Sequence, residues 1–311
     1  MFGLTKQFWI ILVTFFIAGL AFYIFVVQNY QLVDAKRLDQ LEQIEKQYSD
    51  AYEQSNDRED NDQSDSNEQN NDQEGNDDQS SDEQDNTMDT SENQNEDNLL
   101  WGVDSVSITT EEFYDCVTTN FGQPTVWARY LMDKENVSNG LTEQEIELFK
   151  DEGIYILPIY NHFEDATGYE NGVAQAEQAI DYASQYGIPE GVALFADIEP
   201  SYPVTSDFII GWHETIMASK YESGIYGVFS DDSDLTAAFN AAAENNAQVL
   251  EQTIIWSNQP QIGITTEENA PEYQVNAPES SRDWAWQYGL EADVCNIDTN
   301  LFRSDIVEYL W

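Results

Sequence analysis

Asp197-Ile198-Glu199 places two carboxylates two residues apart at the end of the apolar run Val192–Glu199 (VALFADIE). Residues i and i+2 of a strand share a face. Both acids then project together, while Ile198 packs the other way. Two neighbouring carboxylates do not ionise easily side by side, so one retains a proton near neutral pH. Such a pair suits glycosidic cleavage, in which one acid protonates the leaving oxygen and a carboxylate stabilises positive charge or activates water. In so acidic a chain the triplet D-x-E is weak by itself. Its place after a strand-like apolar run raises a site role above the alternative of an exposed loop.

The elements that must carry this pair alternate in type. Strands are predicted at Leu99–Asp104, Thr125–Tyr130, Ile154–Tyr160, Val192–Glu199 and Gly224–Phe229. Helices are predicted between and after them, at Thr110–Phe121, Leu141–Glu152, Glu170–Tyr186, Val204–Tyr221 and Asp232–Ala247. Thr110 precedes two glutamates, Thr142 and Glu145 form a capping box, and Gly153 and Gly187 are stop signals. Three further strands, Thr253–Ser257, Trp284–Tyr288 and Val294–Asp298, follow without full helices between them, and a last helix is expected near Arg303–Tyr309. Repeated β-then-α units argue for a parallel sheet. Eight such strands predict an α/β fold, a TIM-like (β/α) barrel with a degenerate last third. An open doubly wound sheet is the alternative, but no glycine-rich phosphate loop follows the first strand.

In a barrel of this kind the site lies at the C-terminal ends of the strands. Besides Asp197 and Glu199, those ends carry Asp104, Asp298, Arg129, Tyr160, Asn161, Trp256, Trp286 and Tyr288. Asp104 and Asp298 extend the acidic floor. Arg129 reads as a structural cation paired to a barrel acid, or as a substrate contact. Tyr160, Trp256, Trp286 and Tyr288 suit a sugar-stacking platform and equally suit a core. His162 is a loop residue near the third strand, and His213 falls in a helix pattern. Cys116 in the first helix and Cys295 in the last predicted strand would be neighbours in a closed barrel. They read as a disulfide if the domain lies outside the cell, or as two thiols.

Composition bounds the partners. The 311 residues hold 60 acids against 11 bases, a formal net charge of −49. Nucleic acid, which needs clustered Lys and Arg, is not an expected partner. Two His and two Cys exclude zinc fingers and iron–sulfur clusters, and neither a metal nor an organic cofactor is indicated. The charge is spread over unlike segments. Residues 1–7 are a short tail. Phe8 to Val27 is an uncharged 20-residue apolar run, long enough to cross a bilayer as a helix. It is expected to be an uncleaved anchor with its N-terminus cytoplasmic; a cleaved signal peptide is the alternative. Residues 28–49 carry helical periodicity and read as a stalk. Residues 50–98 hold 19 acids and one base among Asn, Gln and Ser, and are expected to be a disordered, extended linker. Residues 99–311, with 37 acids and six bases, form the one expected globular domain.

Together, GVDSV, TVWARYL, LTEQEIELFKDEGIYILPIYN, YENGVAQAEQAIDYASQYGIPEGVALFADIEP and SGIYG resemble a bacterial glycoside-hydrolase-like TIM-barrel family, domain of unknown function 1906. That family is related to the family-25 glycoside hydrolases, which are lysozyme-type muramidases. The resemblance covers about residues 99–302 and neither the anchor nor the linker. It implies that Glu199 corresponds to the catalytic glutamate, Asp197 to its acidic partner and Asp104 to the acid ending the first strand. WQYG at Trp286–Gly289 and IDTN with Asp298 resemble the closing motifs. The third strand departs from the muramidase Y-H-F by inserting Asn161 between Tyr160 and His162. Three classes of function follow: an exported, membrane-tethered hydrolase of cell-wall glycan such as peptidoglycan, a non-catalytic glycan-binding barrel, or a surface scaffold. The charge surplus disfavours work on anionic wall polymers at low salt, so activity is expected to rise with salt.

Overall fold

A computed structural model describes residues 99–311. The apolar run 8–27, the stalk and the acidic tract 50–98 lie outside the described residues. Among the described residues no helix is long and apolar enough to cross a membrane.

The barrel is closed by eight strands in sequence order. They are β1 (Leu99–Asp104), β2 (Val126–Tyr130), β3 (Tyr155–Tyr160), β4 (Ala193–Ile198), β5 (Glu222–Gly227), β6 (Ile254–Asn258), β7 (Arg282–Gly289) and β8 (Asp298–Arg303). The first seven run parallel. β8 is antiparallel to both β7 and β1, with Asp104 opposite Asp298. This corrects the expectation of eight parallel-type strands. The helices are α1 (Glu111–Asn120), α2 (Glu143–Glu152), α3 (Tyr169–Gln185), α4 (Ser206–Met217), α5 (Asp234–Asn245) and α6 (Ala247–Gln252). The last third is degenerate as anticipated. A long loop with one 3₁₀ turn joins β6 to β7, and Ser304–Tyr309 is a 3₁₀ segment rather than an α-helix.

Local chemistry explains the helix ends. The Thr110 hydroxyl accepts from the Phe113 amide, and Thr142 with Glu145 completes the capping box. Gly153 ends α2 in the left-handed region that a glycine adopts without strain. α3 buries Gly172, Ala176, Ala179 and Ala183. Small residues let it press on α4: a methyl group at Gly172 would sit 2.2 Å from the Phe208 carbonyl oxygen, and one at Gly211 2.4 Å from that of Tyr169.

Period-two alternation divides the core. Val126, Ala128, Leu157, Ile159, Phe195 and Trp256 belong to the cluster inside the barrel, with Ile306 from the 3₁₀ segment and Leu310 just after it in the same cluster. The intervening residues face the helices, with Trp127 and Phe149 in one cluster and Leu194, Ala196 and Trp212 in another. The interior face therefore carries Asp104 on β1, Tyr130 on β2, Asp197 on β4, Tyr226 on β5, Gln287 on β7 and Asp298 on β8. Cys116 on α1 is bonded to Cys295 in the β7–β8 loop, with Cα atoms 5.9 Å apart. Cys295 and Asn296 take positive φ values of 69° and 40° there, so residues 294–297 form a reversing turn where the strand Val294–Asp298 is expected. Asp298 opens β8 rather than closing a strand. It still reaches the same end of the barrel because β8 runs in the opposite direction.

Candidate active site

Four carboxylates meet at the strand ends. Asp104 and Asp197 are buried, at 5% and 4% exposure; Glu199 and Asp298 are partly exposed. A chain of directed hydrogen bonds organises one side of the group. The Asn258 amide donates to the Tyr226 hydroxyl (2.6 Å), and that hydroxyl donates to Gln287 Oε1 (2.6 Å). With its oxygen so engaged, Gln287 turns its Nε2 toward two acids, Asp104 Oδ2 at 2.9 Å and Asp298 Oδ2 at 3.1 Å. Asn300 Nδ2 donates to the same Asp104 oxygen at 2.7 Å, while its Oδ1 accepts from Trp256 Nε1 at 2.9 Å. Asp298 Oδ1 takes the Glu291 amide at 2.6 Å. Asp104 and Asp298 are thus held as acceptors by neutral donors.

The other side of the group is less satisfied. Asp197 Oδ1 and Asn161 Oδ1 are buried without a hydrogen-bond partner. Asn161 is anchored by its Nδ2 to Ser138 Oγ at 3.0 Å. Lys134, on the loop after β2, brings its Nζ within 3.2 Å of both the Tyr202 hydroxyl and the Phe163 carbonyl oxygen. Tyr202 is joined to the D-x-E segment through its amide, which donates to the Glu199 carbonyl oxygen at 2.9 Å.

All four acids hold their protons more tightly than free carboxylates. Burial pushes Asp104 up to about 6, against hydrogen bonds from Asn300 and Gln287 and the charge of Arg129. Burial raises Asp197 well above the carboxylate range, and the Glu199 charge adds to it. Burial also raises Glu199, which the Lys134 charge and a hydrogen bond from Asp197 oppose. Asp298 is raised well above its ordinary value by burial and then by the Asp104 charge. Tyr130, whose phenol is raised by burial and by the charges of all four acids, lies among them. Such a group near neutral pH carries protons it can give and negative charge it can offer, as acid/base chemistry needs. Among the described residues no group of three or more His, Cys, Asp or Glu side chains is placed to hold a metal ion.

The remaining sequence candidates fall elsewhere. Arg129 faces the helices and is fully buried: its Nε binds Glu145 Oε1 at 2.7 Å, and its other nitrogens reach the Ser105 and Asn139 carbonyl oxygens. It is the structural cation of the two readings, and its acid is Glu145, not Asp104. Tyr160 also faces outward, fully buried, with its hydroxyl on Gln175 of α3 at 2.8 Å. Trp286 and Tyr288 flank the inward Gln287 and so point away from the mouth; the Tyr288 hydroxyl accepts from Trp101. Trp256 faces inward but is 1% exposed beneath Asn300. All four rings take the core reading and not the sugar-stacking one, because period-two alternation or depth removes each from the surface. His213 is buried against Thr253, and His162 bonds the Asp133 carbonyl oxygen. The sequence reading passed over Tyr226, Gln287, Lys134 and Tyr202 as site residues. Counting inward positions back from each strand end would have found the first two. The other two are loop residues with no periodic signal.

This fold and mouth define an eight-stranded α/β barrel with an acidic centre, of the glycoside-hydrolase-like class. The chain belongs to the Rv2525c-like, glycoside hydrolase-like domain family, whose model matches residues 121–302. An uncharacterized B. stearothermophilus protein of solved structure is 42% identical, with a TM-score of 0.67; the alignment covers 68% of this chain and 100% of that one. A family 25 glycosyl hydrolase from Bacillus anthracis aligns at 12% identity and a TM-score of 0.39, over 67% of this chain and 92% of that one. The modular autolysin LytC from Streptococcus pneumoniae, solved with a synthetic peptidoglycan ligand, aligns at 12% identity and a TM-score of 0.45, over 66% of this chain and 47% of that one. A comparison with curated proteins finds no match.

Proposed function

We propose that this chain is a glycoside hydrolase acting on cell-wall glycan by carboxylate acid/base catalysis. The observation that carries the reading is the adjacent pair Asp197 and Glu199, both with raised proton affinity, beside two further acids held as acceptors. Asp197 and Glu199 share a proton. Glu199 is the partly exposed member, so it is the one a bound sugar reaches, and it delivers the proton to the leaving oxygen. Asp298 and Asp104 offer negative charge to the oxocarbenium-like state or orient water. Peptidoglycan is the glycan to test first, as the one the LytC structure holds. The Cys116–Cys295 bridge supports an oxidising, exported setting for the domain. In the same reading, residues 8–27 anchor the chain with its N-terminus in the cytoplasm, and residues 50–98 let the barrel reach the wall.

The test is reducing-end release from purified peptidoglycan by the full chain in neutral detergent, beside Glu199→Gln. Release by the parent, and a loss of about 100-fold or more in the variant, is the scale expected for removal of a general acid. No release by the parent across pH and salt removes the hydrolase reading for this glycan, and retention on the glycan would then favour a binding barrel.

A further inference from the structure

Three adjacent strands end in polar groups that the protein itself leaves unused. β2 sends Tyr130 inward, two residues past Ala128, and its ring packs against the inner cluster. Tyr130 is partly exposed, and its hydroxyl has no hydrogen-bond partner among the described residues. β3 places Ile159 opposite Tyr130, so Asn161, two residues on, is the next inward position of that strand. Asn161 is 2% exposed. Its Nδ2 is spent on Ser138 Oγ, which leaves the amide oxygen as the free end, buried without a donor. β4 pairs Ala196 with Tyr160, which brings Asp197 beside Asn161 one step further. Asp197 Oδ1 is likewise buried without a donor. Neighbouring strands lie about 4.8 Å apart, so the three ends line one wall of the mouth.

The opposite wall is closed on itself. There the Tyr226 hydroxyl both accepts and donates, Gln287 bridges Asp104 and Asp298, and Asn300 binds Asp104. In that network only Asn258 Oδ1 lacks a donor. A buried carbonyl oxygen without a donor costs free energy that an incoming N–H or O–H returns. The β2–β4 wall therefore suits a ligand with an acceptor for the Tyr130 hydroxyl and a hydrogen for Asn161. Tyr130 stays a donor near neutral pH, since burial and the surrounding acids make its phenol harder still to ionise. A secondary amide carries both features on separate atoms, a C=O and an N–H directed to opposite sides. A sugar hydroxyl would have to serve both from one oxygen, whereas the two protein groups stand on different strands at different levels.

We propose that Tyr130 and Asn161 form a subsite for the acylamino group of a sugar. The Tyr130 hydroxyl donates to the amide carbonyl, and Asn161 Oδ1 accepts the amide N–H. The group so held lies against Asp197, the buried member of the D-x-E pair. The inference rests on the glycan reading of the site and narrows it to sugars that bear an N-acyl substituent, with these two residues setting the preference.

The test is calorimetric binding to the full chain in neutral detergent, with Glu199→Gln in every sample so that nothing is turned over. The probes are tri-N-acetylchitotriose and cellotriose, which share a β-1,4 backbone and differ at C2 in acetamido or hydroxyl. The first should bind at least about tenfold tighter, the scale of one or two hydrogen bonds. Y130F and N161A should each cut that preference by about fivefold and leave cellotriose binding unchanged. Y130F deletes a hydroxyl with no internal partner, so its unfolding midpoint should stay at the parent's; a purely structural tyrosine would move the midpoint and not the preference. Equal binding of the two probes, binding of neither, or a preference that survives in folded Y130F overturns the proposal. If N161A does not fold, Y130F decides. A chain that shows the preference but, with Glu199 restored, releases no sugar fails the hydrolase reading and not this one.

Discussion

The Cys116–Cys295 bridge closes a loop with a sequence separation of 179 residues. In the chain-entropy account, crosslinking a loop of that size removes about 18 cal/mol/K from the unfolded ensemble, or about 5 kcal/mol at 25 °C. That is a ceiling, because residual structure in the unfolded chain lowers the gain. A working expectation is about 2–5 kcal/mol, a large part of the ~5–15 kcal/mol typical of a domain. The bridge joins α1 to the β7–β8 loop, beside the seam where β1 pairs with β8. Its loss should therefore leave the folded barrel in place and act on the unfolded state. The perturbation is C116A/C295A, which avoids a lone thiol, compared with the reduced parent. Guanidinium unfolding followed by far-UV circular dichroism reads the difference. Both samples should unfold at similarly lowered midpoints with native spectra retained in buffer. A loss below about 1 kcal/mol would refute the argument. A loss confined to the double alanine variant would assign the effect to packing at the two positions.

Three further outcomes are expected. Arg129→Met leaves the Glu145 carboxylate buried without its cation and should cost about 3–5 kcal/mol in chemical denaturation, with part of the loss recovered in R129M/E145Q; a loss under 1 kcal/mol would show that water reaches the pair. Asp104 is raised from 3.8 to about 6, so its contribution to stability is full below pH 3.8 and is lost as pH rises through about 6. The protein should accordingly resist denaturant better at pH 4 than at pH 7.5, and Asp104→Asn should flatten that fall; an unchanged slope in the variant contradicts the assignment. Gln287→Leu strips a donor from Asp104 and Asp298 and an acceptor from Tyr226, and should cost about 1–3 kcal/mol at pH 7.5 but less at pH 4, where the acids carry protons. An equal cost at both values would mark Gln287 as packing alone.

The parallel part of the barrel was legible because each unit carries its own local signal. VALFADIE, the Thr142–Glu145 box and Gly153 each lie within a few residues of the element they shape. β8 was not legible, since its direction follows from pairing with β1 nearly 200 residues earlier and from a turn held by positive φ at Cys295 and Asn296. Asp298 was chosen as the last residue of a strand and is the first residue of another. The reversed strand places it at the mouth all the same. Among the site candidates, the acids were legible because a carboxylate coincided with the end of a predicted strand. The aromatic candidates were misplaced where parity was not counted: Trp286 and Tyr288 share a face, and the residue between them, Gln287, is the one that turns inward. On β2 the same parity decides between the two readings of Arg129: Tyr130 is the inward neighbour, and Arg129 is the structural cation paired to Glu145. Lys134 and Tyr202 come from loops whose meeting depends on the closed barrel and leaves no trace in spacing.

The antiparallel eighth strand also governs when the molecule can finish folding. β1 has β2 on one side and β8 on the other, so its second edge waits for the far end of the chain. The backbone of Trp311 then exchanges hydrogen bonds with Ile156 in β3, at 2.8 and 3.0 Å. Every earlier stage of synthesis therefore presents a sheet with two open edges, which is prone to pair with other strands. Contacts between segments so distant in sequence also form slowly. The barrel stays unclosed until β8 is made, and its acidic mouth is assembled in the same event that seals it, since Asp298 opens β8 opposite Asp104. The charge of the domain, repelling like copies during that interval, acts before the fold exists as well as after it.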